Sequence, residues 1–337
     1  MAVTIKDVAE LAGVSISTVS RVINNSKPVS SVVRRKVLEA IDELDYEPNQ
    51  VARSLVTKKS NLIGIVLTDI GNHYIARMVR GMEEIGRMYN YDIILSSSFG
   101  DSKREIELLE LLKGKQVEGI IFISEGLNES ALDTIKELNI PSVYLNKYYK
   151  NNSLPSVSID NFEGTYKMTE YLQKLGHEKI LYINNNNEDE NSIEKIKTKG
   201  YKKALKGKGL EEFVLSVDGF KVEDGYNIGN NIMKLVREKG ITAVFCNHDE
   251  IAIGLINYCY DNNIKVPEDV SISGFGDTEL ASIYRPSLTT VREPYYDIGA
   301  VAIRRIIKEI DEDIVEEDNT YLPFHIMERK STKGIKS

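Results

Sequence analysis

The sequence predicts a small helical domain followed by a larger α/β body built around parallel sheets. Two short amphipathic helical segments, separated by a Gly-centred turn, open the chain between Thr4 and Asn24. From Asn61 onward, continuous apolar runs alternate with amphipathic helical segments, which is the pattern of parallel strands with helices on both faces of the sheet. A length of 337 residues also suggests two or three domains rather than one.

The first two helical segments have the pattern of a helix-turn-helix. Thr4 and Asp7 have the spacing that caps a helix start, and Gly13 can take the positive φ that a tight turn needs. Ser15 then caps a second helix, which is predicted to bury Val19, Val22 and Ile23 and to expose Ile16, Ser17, Thr18 and Arg21. In a helix-turn-helix the second helix reads the major groove of DNA. The alternative, a helical hairpin packed in a core, would leave the exposed Ser, Thr and Arg side chains without a purpose.

The stretch from Asp7 to Asn24, DVAELAGVSISTVSRVIN, resembles the headpiece of LacI-family repressors. The resemblance implies a homodimeric transcription regulator that binds a pseudo-palindromic operator in double-stranded DNA. We expect Arg21 to make a bidentate contact to guanine, with apolar and hydroxyl contacts to bases from Ile16 and Ser17. Contacts to phosphates, which set the register on the duplex, are predicted for Thr4, Ser15, Thr18, Asn24, Ser30 and Asn49.

A third helix is predicted from about Val32 to Leu44, with Ser30 or Ser31 as its cap. These helices form a headpiece of residues 1–48, and residues 49–60 are predicted to be a hinge helix and linker. In the LacI family the matching stretch becomes helical when the dimer sits on its operator, and a leucine wedges into the minor groove. Leu55 matches that leucine and Ala52 packs beside it, and such a wedge bends the site onto more protein surface. From composition alone, the alternative is a plain linker.

The formal net charge of -8 is unevenly distributed. Residues 1–60 contain nine Lys or Arg and seven Asp or Glu, whereas the remainder contains 34 and 44. A mildly basic head on an acidic body is compatible with a DNA-binding protein. No apolar run approaches the roughly 20 residues of a membrane span, and the N-terminus has no secretion pattern. We therefore expect a cytoplasmic protein, nucleoid-associated when bound to DNA, with no membrane partner and with Cys246 and Cys259 reduced.

The alternating pattern after Asn61 falls into two series of strands and helices. The first series has apolar runs at 62–70, 91–98, 119–124 and 141–146, and the second includes KILYIN, FVLSV, AVFCN and VSISGFG. Two such sheets joined by crossovers give the two-lobe architecture of periplasmic binding proteins, with a ligand cleft between the lobes. The predicted lobes are residues 61–160 with 291–320 and residues 161–290 with 321–333.

The cleft lies where the carboxyl ends of the strands converge, which is the usual ligand position in open α/β sheets. A small-molecule effector such as a sugar phosphate would bind there. Lys197 stands three residues before Gly200, where sugar-responsive relatives commonly have Arg, and Lys offers a point charge in place of a planar fork. The predicted effector contacts are Asp69, Asn72, Tyr74, Asp160, Lys197, Asp249, Phe275 and Asp277. For Asp249 and Asp277, helix capping is an equally weighted alternative.

The sequence gives little support to an enzyme. The four histidines lack the H-E-x-x-H spacing, and neither a G-x-S-x-G elbow nor a phosphate-binding Walker motif occurs. We expect no catalytic residue, no metal and no cofactor.

Residues 295–310, YYDIGAVAIRRIIKEI, are predicted to form an amphipathic helix with a charged stripe. A solvated face is the plain alternative. The stretch resembles that of the catabolite-control members of the LacI family, whose corepressor is the phosphocarrier protein HPr phosphorylated on serine. The resemblance implies coregulator contacts by Tyr296, Asp297, Arg304 and Lys308, with Glu84 on a facing helix. Arg304 and Lys308 suit a dianionic phosphoserine. Control by a small sugar or sugar phosphate in the cleft is the alternative.

Overall fold

The computed structural model describes residues 3–24, 27–46, 59–146, 154–185, 192–311 and 319–335. The chain separates into two compact units, residues 1–60 and residues 61–337. We refer to these units as the head and the body.

The head contains three helices, α1 (Ile5–Ala12), α2 (Ile16–Asn24) and α3 (Ser31–Glu43). Gly13 ends α1 with a φ of +65°, as the tight turn requires. The Ser15 hydroxyl accepts a hydrogen bond from the Thr18 N–H at 3.3 Å, and the Ser30 hydroxyl accepts one from the Val33 N–H at 3.4 Å. The predicted turn and the predicted caps of the second and third helices are therefore confirmed.

The core of the head is small. It consists of aliphatic side chains from all three helices: Val8, Ala9, Ala12, Val19, Val22, Val37 and Ala40. A core of this size stabilises a domain only marginally. The predicted hinge residues Ala52 and Leu55, together with Asn49, lie outside the described residues.

The first lobe of the body is organised around a four-stranded parallel sheet with the strand order β2-β1-β3-β4. Its strands are β1 (Leu62–Leu67), β2 (Asp92–Ser97), β3 (Gly119–Ser124) and β4 (Ser142–Asn146). Its helices are α4 (His73–Met88), α5 (Ser102–Gly114) and α6 (Glu129–Leu138). Because β1 and β3 have helices on both faces, their side chains are almost all buried.

The second lobe is organised around a six-stranded sheet with the order β12-β10-β9-β8-β6-β7, in which only β12 is antiparallel. Its strands are β6 (Ile180–Asn185), β7 (Phe213–Val217), β8 (Ala243–Cys246), β9 (Ser271–Gly276), β10 (Thr289–Arg292) and β12 (His325–Met327). Its helices are α7 (Asn161–Lys174), α8 (Ile193–Lys206), α9 (Val222–Asn227), α10 (Gly229–Lys239), α11 (Asp249–Asp261) and α12 (Glu279–Ile283).

The chain crosses between the lobes more than once. A short strand β5 (Ser156–Ile159) pairs in parallel with β11 (Asn319–Leu322). Between β10 and β11 the chain returns to the first lobe as α13 (Tyr295–Ile310), which packs against α4 and β3. The two-lobe fold with parallel sheets is confirmed, while the lobe boundaries stay a prediction.

One predicted element differs from the structure. The sequence pattern predicts a single helix ending at Lys239, but the chain forms α9 and α10 with a break at Ile228. Glycines lie on both sides of the break, at Gly225 and Gly229, and glycine is a common cause of a sharp helix bend. No helix in the described ranges is long and apolar enough to cross a membrane.

Candidate functional sites

The exposed face of α2 presents the side chains that the sequence predicts for base contact. Ile16 is 44% exposed, although it is a large apolar side chain. Ser17 and Arg21 are also exposed, while Val19 and Val22 are buried on the opposite side. The predicted division of α2 into a buried and an exposed face is therefore confirmed, except that Thr18 and Ile23 are half-buried.

Hydroxyl groups at the start of α2 form a small polar cluster. The Ser15 hydroxyl lies 2.9 Å from the hydroxyls of both Ser17 and Thr18. These three side chains come from the turn and the first helical turn, which is the part of a reading helix that meets DNA. Hydroxyls in such a cluster can donate to phosphate oxygens or to base edges.

Thr4 is engaged with Asp7 at the start of α1. The Asp7 carboxylate accepts hydrogen bonds from the Thr4 N–H at 2.7 Å and from the Thr4 hydroxyl at 2.8 Å. These two hydrogen bonds lower the pKa of Asp7. To contact a phosphate with its hydroxyl, Thr4 would have to exchange this bond. The side chain of Asn24 and all of Asn49, Ala52 and Leu55 lie outside the described residues.

The second predicted surface is formed by α4 and α13, which approach each other unusually closely. A Cβ atom added at Gly81 would clash with the carbonyl oxygen of Tyr296, and one added at Gly299 would clash with that of Met78. Backbone therefore meets backbone on both sides of the contact. This close approach fixes the two helices as one platform.

The charged residues of this platform face outward. The Tyr296 hydroxyl donates to the Glu84 carboxylate at 2.5 Å, and Arg80 donates to Glu84 at 3.2 Å. These bonds lower the pKa of Glu84. Asp297, Arg304 and Lys308 are exposed along α13, so the predicted outward stripe is confirmed. We call Glu84, Tyr296, Asp297, Arg304 and Lys308 the α4/α13 face.

Two arginines near this face were not singled out by the sequence pattern. Arg80 holds Glu84, as described, and Arg305 is only 6% exposed. The Arg305 guanidinium lies 3.1 Å from the Glu309 carboxylate. Adjacent arginines on α13 therefore have opposite environments: Arg304 faces solvent and Arg305 is held inside. The i,i+4 spacing of Arg305 and Glu309 was the available sequence signal.

The cleft between the lobes contains a cavity of about 270 Å³. Tyr144 and Asn146 line it from the end of β4, and Ile193 and Ile196 line it from α8. Of the predicted effector residues, Asp160 lines this cavity, and its carboxylate also accepts the Glu163 N–H at 2.9 Å, so that it caps α7. None of the described residues that line the cavity is cationic.

Three predicted effector residues lie at or just before the start of α4, and two of them bind a carboxylate that the sequence pattern did not reveal. The Asn72 amide and the Tyr74 hydroxyl both donate to Glu125, at 2.7 and 2.6 Å. Tyr74 also lines a much smaller cavity next to the main one. Asp69 accepts the Gly71 N–H at 2.8 Å within its own turn. Glu125 follows β3 and could have been found as another polar residue at a strand end.

The structure does not bring Lys197 and Phe275 to an open cleft surface, contrary to the sequence-based expectation. Both side chains are 1% exposed. The Lys197 ammonium lies 4.1 Å from the centre of the Phe275 ring and 3.6 Å from the Glu194 carboxylate. The cation turns inward because a carboxylate on the same helix neutralises it.

Asp249 is also placed differently from the expectation. It is fully buried, and it does not cap its own helix, because His248 occupies the N-cap position of α11. Its carboxylate instead accepts the Thr278 N–H at 2.7 Å and the Thr290 hydroxyl at 2.5 Å. Burial raises the pKa of Asp249 to about 7, although the hydrogen bond from Thr290 lowers it.

Asp277 is neither a helix cap nor an open ligand contact. Its carboxylate is held between two arginines, 2.6 Å from Arg292 and 2.5 Å from Arg329. It therefore joins β10 to the C-terminal segment. Asp249 and Asp277 together connect four parts of the second lobe by hydrogen bonds and ion pairs. These parts are α11, the loop that follows β9, strand β10 and the C-terminal segment. The sequence predicts either helix capping or ligand contact for these two residues, whereas the structure gives them the role of joining neighbouring elements.

The described residues contain no cluster of His, Cys, Asp and Glu side chains that could hold a metal ion. What the chain offers instead is two exposed polar surfaces, on α2 and on the α4/α13 face, and a cavity between two lobes. This combination is the one expected of a DNA-binding head attached to a two-lobed body.

Comparison with known proteins identifies the family. Residues 4–49 match the bacterial regulatory proteins of the lacI family, and residues 169–332 match the periplasmic binding protein-like domain. The chain is 42% identical to the HTH-type transcriptional regulator RegA of Clostridium saccharobutylicum over 98% of this chain and 100% of that protein. It is 40% identical to the catabolite control protein A of Priestia megaterium over 99% of this chain and 100% of that protein. The chain therefore belongs to the LacI family of DNA-binding transcription regulators, and its relatives are regulators rather than enzymes.

The fold is also that of a solved member of the family. This chain aligns with the crystal structure of the lac repressor dimer bound to operator and the anti-inducer ONPF with a TM-score of 0.84 and 27% sequence identity. The alignment covers 99% of this chain and 100% of that one.

Proposed function

We propose that this chain is a homodimeric regulator, mainly a repressor of carbon-source genes, whose operator affinity is raised by serine-phosphorylated HPr. The observation that carries the proposal is the α4/α13 face, where Arg304 and Lys308 are exposed on a helix that is locked to its neighbour. Relatives at 40% identity or more over the full length support it, since one of them is a catabolite control protein.

The head would read the operator through α2. Arg21 would form a bidentate contact to a guanine, while Ile16 and Ser17 contact neighbouring bases. Thr4, Ser15, Thr18, Asn24, Ser30 and Asn49 would bind phosphates and set the register. Two heads related by a dimer axis fit a pseudo-palindromic site. We further propose that residues 49–60 form the hinge, with Leu55 as a minor-groove wedge and Ala52 beside it.

The α4/α13 face has the chemistry that a phosphoserine-bearing partner requires. Arg304 and Lys308 lie one helical turn apart on α13, so both can reach a single dianionic phosphate. Asp297, earlier on the same helix, offers a carboxylate to a donor of the partner. Tyr296 is held in place by Glu84, and Glu84 in turn by Arg80. A fixed arrangement of this kind reduces the side-chain entropy lost when the partner binds.

Control of DNA binding would follow from linkage. A coregulator that binds more tightly to the dimer arrangement with paired hinges raises operator affinity by its differential affinity for that arrangement. The same coupling requires that operator DNA raise the affinity for the coregulator by the same factor.

The first test measures operator affinity with and without serine-phosphorylated HPr at a stated salt concentration, because electrostatic binding depends steeply on salt. We expect the coregulator to tighten binding for the wild type. Arg304→Ala should weaken coregulator binding by about 10- to 100-fold, as loss of a hydrogen bond to a charged group costs about 1.5–3 kcal/mol. Arg237→Ala, an exposed arginine on α10 in the other lobe, is the control. If serine-phosphorylated HPr raised the operator affinity of Arg304→Ala as much as that of the wild type, the proposed contact would be contradicted.

The second test separates base reading from general attraction to DNA. Arg21→Lys keeps the positive charge but loses the planar fork that contacts a guanine at two points. Discrimination between operator and unrelated DNA should therefore fall, by about 1–3 kcal/mol, while the salt dependence of binding stays unchanged. Competition shift assays at several salt concentrations measure both quantities. Retained discrimination would rule out the role assigned to Arg21.

The cavity between the lobes supports a second candidate, control by a small sugar or sugar phosphate. Its volume of about 270 Å³ and its amide, hydroxyl and aromatic lining are suited to a small polar ligand. The similar lac repressor structure also contains a small anti-inducer. Titration of operator complexes with a panel of sugars, run beside serine-phosphorylated HPr, distinguishes the two forms of control. A response to a sugar, together with an Arg304→Ala variant that behaves as wild type, would favour this second candidate.

A further inference from the structure

A buried cluster of charged and polar side chains lies in the second lobe, partly on α8, the helix that also lines the cavity. It consists of Glu194 and Lys197 on α8 and of Asn247 and His248, which follow β8. All four side chains are no more than 2% exposed. Glu194 lies 3.6 Å from the Lys197 ammonium and 3.0 Å from the His248 Nε2, and it also accepts a hydrogen bond from the Asn247 amide.

The carboxylate is the centre of this cluster. Burial by itself raises the pKa of Glu194, but Lys197 and His248 outweigh it and hold the pKa at about 2. Glu194 is therefore ionised, and its two oxygens are bound by three different side chains. Lys197 has one further polar contact, a hydrogen bond of 3.2 Å to the backbone carbonyl of Asn247. A buried ammonium ion without its carboxylate would be strongly unfavourable.

The cluster has the composition of a small anion-binding site. A cation, an imidazole and an amide converge on one carboxylate group, and these are the usual donors to carboxylate and phosphate ligands. The Asn247 amide nitrogen donates both to Glu194 and to Asn185, so its N–H groups are in use while the Glu194 carboxylate is in place.

Its position places it next to the cleft. Ile193 and Ile196 line the 270 Å³ cavity, and Glu194 and Lys197 are the residues that follow each of them on α8. Removal of the Glu194 side chain would leave a buried cationic space on the same helix that lines the cavity.

We propose that Glu194 is the resident ligand of an anion-binding site formed by Lys197, His248 and Asn247, and that it keeps small anions out of the second lobe. Loss of its carboxylate opens the site to a small carboxylate or to inorganic phosphate. In the wild-type chain Glu194 occupies this site, so any anion that the body binds must bind elsewhere. The site itself does not depend on the proposed coregulator.

The test measures the free energy of unfolding of the full-length protein at increasing concentrations of acetate and, in a separate series, of inorganic phosphate. Chloride at equal ionic strength is the reference. Glu194→Ala should gain saturable stabilisation, with a dissociation constant for acetate at least tenfold lower than that of the wild type. Glu105→Ala removes another buried glutamate, which among the described residues binds Asn128 and Ser124 but no cation, and it should show no such gain. The double variant Glu194→Ala with Lys197→Met lacks the lysine of the site, so acetate should not stabilise it.

If Glu194→Ala does not fold in chloride, acetate should restore the folded state, measured by near-UV circular dichroism. Equal responses of Glu194→Ala, Glu105→Ala and the wild type to acetate would overturn the proposal and leave Glu194 as a structural ion-pair partner only. Neither DNA nor HPr takes part in these measurements, so the outcome is independent of the proposed coregulation.

Discussion

The body of this regulator contains two clusters of charged residues that use similar side chains in opposite ways. On the α4/α13 face, Arg304 and Lys308 are exposed. Behind the cleft, Lys197 and Glu194 are buried and bound to each other. The first cluster leaves its cations available to a partner, whereas the second supplies its own counter-ion.

The difference lies in what surrounds each helix. On α13 the cations are exposed to solvent, so water solvates them at little cost. On α8 the cation points toward the end of the second sheet, where it is removed from water and must be paired. A lysine in a helical sequence is therefore uninformative about function until its surroundings are known.

The largest expected effect on stability comes from breaking the buried pair. Glu194→Ala should lower the free energy of unfolding by about 3–5 kcal/mol, because it leaves a buried uncompensated cation. Replacing both Glu194 and Lys197 by Met should recover most of the loss, since no buried charge then remains. Urea unfolding in chloride buffer measures both. If Glu194→Ala destabilises the protein no more than alanine substitution of an exposed glutamate such as Glu238 does, the cluster is not a coupled ion pair.

A smaller effect, specific to pH, is expected at Asp249 between pH 5 and pH 7. Its pKa of about 7 in the folded protein is above the ordinary value of 3.8, so the folded state holds this proton more tightly than the unfolded chain does. The contribution to stability is complete below pH 4 and is lost as the pH rises to 7, by about 1.4 kcal/mol for each pH unit at most. The neighbouring carboxylates of Glu250 and Asp277 act in the same direction.

Asp249→Asn should remove this pH dependence, because the amide resembles the protonated carboxyl in shape and does not titrate. Urea midpoints measured from pH 5 to pH 8 give the comparison. If the variant keeps the same slope as the wild type, another group is responsible for it.

The smallest effect on stability is expected at the exposed cluster. Arg304→Ala and Lys308→Ala should each change the free energy of unfolding by no more than about 0.5 kcal/mol, because exposed side chains without buried contacts contribute little. Thermal unfolding checks this directly. A larger loss would mean that the α4/α13 face is a structural element rather than a free binding surface.

The sequence predicted the regular elements well where the apolar pattern was long or uninterrupted. The predicted bounds of α13, β3 and β7 agree with the structure, because each is an apolar stripe or a buried run with clear flanking residues. The crossover strands β5 and β11 were missed. They are four residues each and pair across more than 150 positions of sequence, so no local pattern indicates them.

The cleft residues were harder to predict for a related reason. Lys197 was expected at the cleft from its position relative to Gly200, but its orientation depends on Glu194, Asn247 and His248. Asn247 and His248 are about fifty positions away in the sequence. Asp249 and Asp277 similarly follow strands of the sheet, as ligand contacts do, yet their partners Thr290 and Arg329 come from elsewhere in the chain. Residue type and strand position alone do not separate these cases.

The glycine contact between α4 and α13 has a consequence for how such regulators can diversify. Because the two backbones touch at Gly81 and Gly299, the helix pair does not depend on the outward side chains for its geometry. Substitutions at Glu84, Asp297, Arg304 or Lys308 can therefore accumulate singly without repacking the lobe. A lineage could exchange one partner protein for another through a few surface changes, while the same two glycines preserve the scaffold.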